Sequence, residues 1–340
     1  MSSAASATKR YLIASVPKGE PSADTFKLED TNLPAEVPEG QVRVRAVYVS
    51  VDPYLRGLIG RIGAGKPIVS GQVAEVVASK AAEYKQGDKV FFYGQWATEQ
   101  IVDPKSADAK LKKIDPSLPP SAYLGVAGMP GATAYFGLHE VAQFKKGDIV
   151  LVSGAAGAVG SLVGQLAKRG GAKLVVGTAG GPEKCKRLVE HFGFDAAIDY
   201  KKFDTEEKVT EELKRLSPDG FDVYFDNTGG HVTDALLNVV RKFARLAICG
   251  SISVYNKDPR EVKVPSPYPK VIYSSTTIRG FLVFDYAAKW DEFEKNVHPL
   301  VRDGKLKFDE TVVEGFDKIP EAFAGLFHGK NTGKMVVKVA

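Results

Sequence analysis

Gly154, Gly157 and Gly160 recur at every third position in LVSGAAGAVG, residues 151–160, and SLVGQLAKRGG follows directly. A turn of this composition suits a phosphate. Small residues let a pyrophosphate reach backbone N–H groups, and the positive end of the following helix favours its charge. Glycines alone also mark flexible loops, so the flanks decide. Asp148–Ser153 reads as an apolar strand before the turn, and Val159, Leu162, Val163, Leu166 and Ala167 fall on one helical stripe after it. Strand, glycine turn and helix in that order make a dinucleotide site.

Roughly 20 residues beyond such a turn, a carboxylate ordinarily holds the ribose 2′-hydroxyl of NAD. Here the second strand runs into Gly177-Thr178-Ala179-Gly180 with no acid, Lys184 comes soon after, and Lys201-Lys202 flank the end of the third strand. Lysines attract a 2′-phosphate that Asp or Glu would repel, so NADPH fits better than NADH. Lys184 reads equally as a solvent-facing helix residue.

These groups need a scaffold, and the sequence changes character along its length to supply one. Residues 9–16, 41–51, 70–79, 87–93 and 96–102 are short runs rich in Val, Ile, Tyr and Phe between Gly, Pro and Asp turns, which predicts a mostly β first third. From about residue 148 strands alternate with helix-period segments, the pattern of a parallel sheet. After Leu174–Val176, Pro182 opens a helix with Cys185, Leu188, Val189 and Phe192 inward, which places Cys185 in the core. Ala196–Asp199 is a third strand, and Asp204 with Glu207 resembles a capping box for a helix reaching Leu216. Phe221–Asp226 and Arg245–Cys249 are further strands separated by a helix around Val232–Val240. A strand near Thr277–Val283 and a helix with Trp290, Phe293 and Val297 complete a doubly wound domain. The closing segment returns to β-type sequence at Glu310–Val313 and Met335–Val339, around a short Ile319–Phe327 helix. It reads as the completion of the first domain, giving an α/β chain with a nucleotide domain inserted into a β-rich one.

Composition removes several function classes. The 340 residues carry a net charge of +5 with both signs interleaved, which gives no basic face for nucleic acid. Hydrophobic content of 44% comes without any apolar run long enough for a bilayer or a secretory signal, so a cytoplasmic protein is expected. Cys185 and Cys249 are too few for a disulfide framework, and five scattered histidines point away from metal chemistry.

Further motifs are Val51-Asp52-Pro53-Tyr54-Leu55-Arg56-Gly57, Gly128-Met129-Pro130-Gly131-Ala132-Thr133-Ala134-Tyr135, Phe225-Asp226-Asn227-Thr228-Gly229-Gly230, Cys249-Gly250-Ser251-Ile252-Ser253 and Gly329-Lys330-Asn331-Thr332-Gly333-Lys334. With the glycine turn they carry a resemblance, over nearly the whole chain, to the zinc-independent medium-chain dehydrogenase/reductases. Within these the chain resembles the prostaglandin/leukotriene reductases and alkenal double-bond reductases. The resemblance implies a GroES-like catalytic domain at 1–128 and 303–340 and a Rossmann domain at 129–302. Where zinc enzymes of the superfamily carry a Cys and a Gly-His-Glu set, this chain reads Val51-Asp52-Pro53-Tyr54 and Ser70-Gly71-Gln72-Val73, with no thiolate or imidazole.

By the same resemblance NADPH is held by Gly157, Ala158, Val159 and Gly160 at the pyrophosphate and by Lys184 and Tyr200 at the adenosine-phosphate end. Asn227, the stretch Cys249, Gly250, Ser251, Ile252, Ser253 and Tyr255, the strand Phe281, Leu282 and Val283, and Asn331 take the remainder. Tyr200 reads equally as a strand-end aromatic, and Asn227 and Asn331 as locally bonded turn residues. Hydride addition to the β-carbon of an enone sends charge to the carbonyl oxygen, which needs a donor. Tyr273 matches the family's tyrosine for that task, and its phenol is a donor at neutral pH. Taken without the resemblance it reads as a core aromatic. Tyr54, Tyr93 and Tyr255 are candidates for the substrate wall. The expected activity is NADPH-dependent reduction of alkenals and enones by a homodimer. A quinone reductase and a catalytically silent NADPH-binding protein are the alternatives.

Overall fold

A computed structural model describes residues 6–262 and 267–339 and divides into two compact units. The first takes the chain up to Leu124 with Glu310–Asn331 and the last residues from Met335. The second takes Gly125–Asp309 with Thr332–Lys334.

In the first unit β1 (Ser6–Ile13) pairs antiparallel with β2 (Phe26–Leu33), a strand the sequence reading did not contain. FKLEDTNL buries little, so the hydrophobic alternation that signals a strand is weak there. β3 (Val42–Ser50) pairs with β4 (Val69–Ser79), β4 with β5 (Lys89–Gln95), β3 also with β6 (Glu99–Val102), and β5 with β7 (Lys112–Lys113). A short helix α1 (Leu55–Ile62) follows β3 and buries Leu55 and Ile59. The core centres on Trp96, fully buried, with Phe26 and Phe323 packed against its ring.

The second unit opens with α2 (Met129–Phe136) and then alternates strand and helix: β8 (Ile149–Val152), α3 (Gly160–Arg169), β9 (Leu174–Ala179), α4 (Pro182–Glu190), β10 (Ala196–Asp199), α5 (Glu206–Leu216), β11 (Phe221–Asp226), α6 (His231–Leu236), β12 (Val240–Ile248), α7 (Tyr268–Ser274), β13 (Thr277–Gly280) and α8 (Trp290–Arg302). The six strands form a parallel sheet in the order β10-β9-β8-β11-β12-β13. The order reverses direction between β8 and β11, and ligands of open α/β sheets bind outside the strand ends at such a switch point.

Several boundaries differ from the sequence reading for local reasons. The α5 cap is Thr205, whose Oγ1 accepts the Lys208 N–H at 3.4 Å, so Asp204 stands one position outside the helix. The helix expected around Val232–Val240 ends at Leu236, and Val240 already begins a strand. Val189 faces solvent and Cys185 is half-buried, its thiol 3.9 Å from the Ala179 carbonyl oxygen, so neither belongs to the core. The last sheet strand stops at Gly280, which leaves Phe281–Val283 beyond it.

The first unit is completed by β14 (Glu310–Glu314), α9 (Ile319–Gly325) and β15 (Lys334–Lys338), with β15 paired antiparallel to β3. Thr332–Lys334 groups with the second unit because the Gly333 N–H donates to the Ala156 carbonyl at 2.8 Å. No helix of the described residues is long and apolar enough to cross a membrane.

Candidate nucleotide-binding site and tyrosines

The glycine turn lies between the end of β8 and the start of α3. Its tightness is visible at Gly160, where a Cβ would stand 2.6 Å from the Gly154 carbonyl oxygen and 2.7 Å from Ala155 Cα. Only glycine lets α3 begin so close to the strand end. The N–H groups of Ser161, Leu162 and Val163 bond back to the Gly157 and Val159 carbonyls at 3.1 Å, so the first turn of α3 closes directly onto the glycine turn and sets the positive helix end there. Gly157, Ala158, Val159 and Gly160 all lie in this turn or at the helix start.

Lys184 stands in the first turn of α4 and Tyr200 follows the last residue of β10, so the ends of β9 and β10 gather the residues assigned to the adenosine-phosphate end. A Cβ on Gly180 would stand 2.8 Å from Tyr200 Oη and 3.0 Å from Lys201 Cε, so both side chains fold over that turn. The Lys184 ammonium is held below the usual lysine range by burial and by the Lys201 charge. Two cations that disfavour one another are a fit for an added dianion. Asp199 is turned inward: its Oδ1 accepts the N–H of Gly181 at 2.8 Å and of Lys201 at 3.2 Å. The acid near this site is therefore part of the turn's own framework.

On the other half of the sheet Asn227 follows β11, donating its N–H to Ser153 Oγ at 2.9 Å and its side-chain amide to the Ser153 carbonyl at 2.7 Å. Cys249 and Gly250 follow β12, their N–H groups on the Asp226 carbonyl at 2.8 and 3.1 Å. Burial pushes the Cys249 thiol up to about 12, which makes it an inert neighbour. Ser251, Ile252 and Ser253 continue into a short turn, and the Tyr255 hydroxyl folds back to accept the Ser251 N–H at 3.3 Å. Phe281 sets its ring edge-on to Phe225 at 6.2 Å. Leu282 is exposed and Val283 is buried.

Tyr273 sits on α7, a helix that buries none of its residues, and is 85% exposed, which overturns the core-aromatic reading. In the first unit Tyr54 stands at the N-cap of α1 and Tyr93 lies in β5. Burial raises the Tyr54 hydroxyl well above the usual phenol range, with the Asp52 charge and Tyr93 adding to it, and burial and Asp52 raise Tyr93. Both remain protonated donors in a partly apolar setting.

The chain matches the family described as the N-terminal domain of oxidoreductase over residues 9–109 and the zinc-binding dehydrogenase family over residues 158–302. It is 41% identical to prostaglandin reductase 1 of Bos taurus, covering 94% of this chain and 95% of that one. It is 39% identical to the NADP-dependent 2-alkenal reductase of Nicotiana tabacum, covering 98% and 97%. The crystal structure of CurA from Vibrio vulnificus in complex with NADPH superposes with a TM-score of 0.88 at 36% identity, over 98% of this chain and 99% of that one. The chain belongs to the zinc-independent medium-chain dehydrogenase/reductases.

In this medium-chain reductase the positions that carry zinc ligands in other branches have different duties. Ser70 Oγ accepts from Trp96 Nε1 at 2.9 Å and donates to the Ser50 carbonyl at 2.7 Å. Gln72 is fully buried and its Oε1 accepts from Gln100. Asp52 is buried and accepts from Ser50 Oγ. The sequence reading named neither Ser153 nor Asp226 as functional. A polar residue closing an apolar strand, SG after IVLV and DN after FDVYF, was the available signal.

Proposed function

We propose that this reductase transfers hydride from NADPH to the β-carbon of α,β-unsaturated aldehydes and ketones, reducing the carbon–carbon double bond. The observation that carries the reading is similarity along the full chain to an NADP-dependent 2-alkenal reductase and a prostaglandin reductase. The lysines at the ends of β9 and β10 support the choice of NADPH.

The Gly154–Gly160 turn and the start of α3 hold the pyrophosphate, and Lys184 with Tyr200 hold the adenosine 2′-phosphate. Asn227, the Cys249–Tyr255 stretch, Phe281–Val283 and Asn331 line the rest of the cofactor. NADPH, when bound, supplies the hydride. As electron density moves toward the substrate carbonyl, the Tyr273 hydroxyl donates a hydrogen bond to its oxygen and stabilises the developing enolate. Tyr54, Tyr93 and Tyr255 provide apolar rings with polar tips for the substrate.

The test is NADPH oxidation across alkenals, 15-oxo-prostaglandin-like enones and quinones. Turnover confined to quinones would replace the reading with a quinone reductase, and none on any of the three with a silent binding protein. For cofactor choice, Lys184→Ala should weaken NADPH by about tenfold, the scale of one charge-assisted hydrogen bond, and leave NADH nearly unchanged. Equal losses for both nucleotides would remove Lys184 from the phosphate site.

A homodimer is part of the same proposal. β13 closes one side of the parallel sheet with all four residues exposed, and Ile278 within it and Leu282 and Phe284 beyond it present apolar surface. A second copy of the chain would cover that edge. Light scattering reads the mass, and a single-chain value would refute the pairing. We place the protein in the cytoplasm, supported by its two free cysteines, with fractionation as the check.

A further inference from the structure

Asp226 closes β11 at the switch point and is 2% exposed, yet its carboxylate is met by hydroxyls and amides. Oδ1 accepts from Ser153 Oγ at 2.8 Å and from the N–H groups of Thr228 and Gly229 at 2.9 Å each. Oδ2 accepts from Thr233 Oγ1 at 2.7 Å. The Tyr224 hydroxyl lies 3.0 Å from Oδ1 and 3.0 Å from Thr233 Oγ1, one proton serving the two contacts. A buried carboxylate satisfied in this way fixes the groups that donate to it, because losing any donor leaves charge uncompensated.

Ser153 is the connection out of this cluster. A hydroxyl has one proton, and with that proton committed to Asp226 its lone pairs face outward to accept the Asn227 N–H. The Ser153 carbonyl takes the Asn227 side-chain amide as well, so one fully buried residue directly after β8 holds Asn227 by both its backbone and its side chain. Thr233 differs: its hydroxyl also serves Asp226 but makes no contact with Asn227 among the described residues.

We propose that Ser153 is a positioning residue that, anchored by Asp226, holds the Asn227–Gly230 turn in its cofactor-receiving form before NADPH arrives. The proposal rests on the NADPH reading and gives that site its pre-organisation, which strengthens binding by removing an ordering cost.

Wild type, Ser153→Ala and Thr233→Val are titrated with NADPH by fluorescence, with denaturant unfolding followed in parallel. Both variants take one hydroxyl donor from Asp226, but only Ser153→Ala also takes the acceptor from Asn227. Ser153→Ala should raise the NADPH Kd about tenfold, and Thr233→Val should stay within about twofold at a comparable loss of stability. At saturating NADPH, kcat for an enone should remain within about twofold in Ser153→Ala, since no reacting group is touched. Kd values that rise in proportion to lost stability in both variants, or wild-type affinity in Ser153→Ala, overturn the proposal. Amide hydrogen exchange on the wild-type protein decides the matter even where Ser153→Ala does not fold. The Asn227, Thr228 and Gly229 amides should be protected without nucleotide, and protection that appears only with NADPH overturns it. Wild-type protein that binds no NADPH would overturn the cofactor reading first, an outcome distinct from either of these.

Discussion

Tyr273→Phe should lower kcat for an enone by about a hundredfold while the NADPH Kd stays at its wild-type value. The substitution removes one oxygen from a side chain that is 85% exposed on a helix without buried residues, so folding is not at risk. Under the proposed mechanism, what it removes is a donor for the oxygen on which charge gathers as hydride reaches the β-carbon. Donors of that kind act only in the transition state, so the loss should fall on kcat and kcat/KM together. Exposure makes the result informative in a second way. A phenol surrounded by water does little that water cannot do, so a large loss measures how fully bound substrate and cofactor shield the hydroxyl. Steady-state kinetics on one alkenal and one enone, beside a fluorescence titration with NADPH, reads both quantities. Unchanged turnover would remove Tyr273 from the mechanism, and a raised NADPH Kd would recast it as a cofactor contact.

The strand–turn–helix unit around Gly154–Gly160 was legible because its signals are local. An apolar strand, glycines and an amphipathic helix follow one another within about twenty residues, and β10 and β11 begin and end where their sequence says. Elements without such signals were missed or misjudged. β2 carries three charges in eight residues and buries only Phe26, and α7 has aromatic and aliphatic residues that suggest a core but buries none of them. The anchoring of Asn227 was not legible at all, because Ser153 and Asp226 meet across 73 positions of chain. Each looks like an ordinary strand-end polar residue until the parallel register of β8 and β11 brings them together. Lys184, Lys201 and Lys202 stand out as a group in the sequence, but the inward turn of Asp199 depends on its bond to the Gly181 N–H, which only the fold defines.

Gly333→Ala should raise the NADPH Kd by about a hundredfold and destabilise the second unit by roughly 2–4 kcal/mol, from backbone strain together with overpacking. Gly333 has φ of 68°, a conformation that an L side chain resists, and a Cβ there would stand 2.0 Å from the Asp309 carbonyl oxygen. That oxygen has little freedom to withdraw. It accepts the Lys334 N–H at 2.9 Å, and the Asp309 carboxylate is gripped by Arg187 through two nitrogens. The clash is therefore relieved by moving Thr332–Lys334, which breaks the Gly333 N–H bond to Ala156 and the bridge between Gly333 and Gly157. Those contacts support the glycine turn from outside, so the strain arrives at the proposed pyrophosphate site. Gly304→Ala is the matched control, with φ of 65° and open space around the added methyl. It should cost only the backbone term, about 1–2 kcal/mol, and leave NADPH affinity intact. Denaturant unfolding and NADPH titration of the two variants separate the effects. Equal affinities would show that the Gly333 contact supports the fold alone, whereas a loss confined to Gly333→Ala ties the returning segment to the cofactor turn.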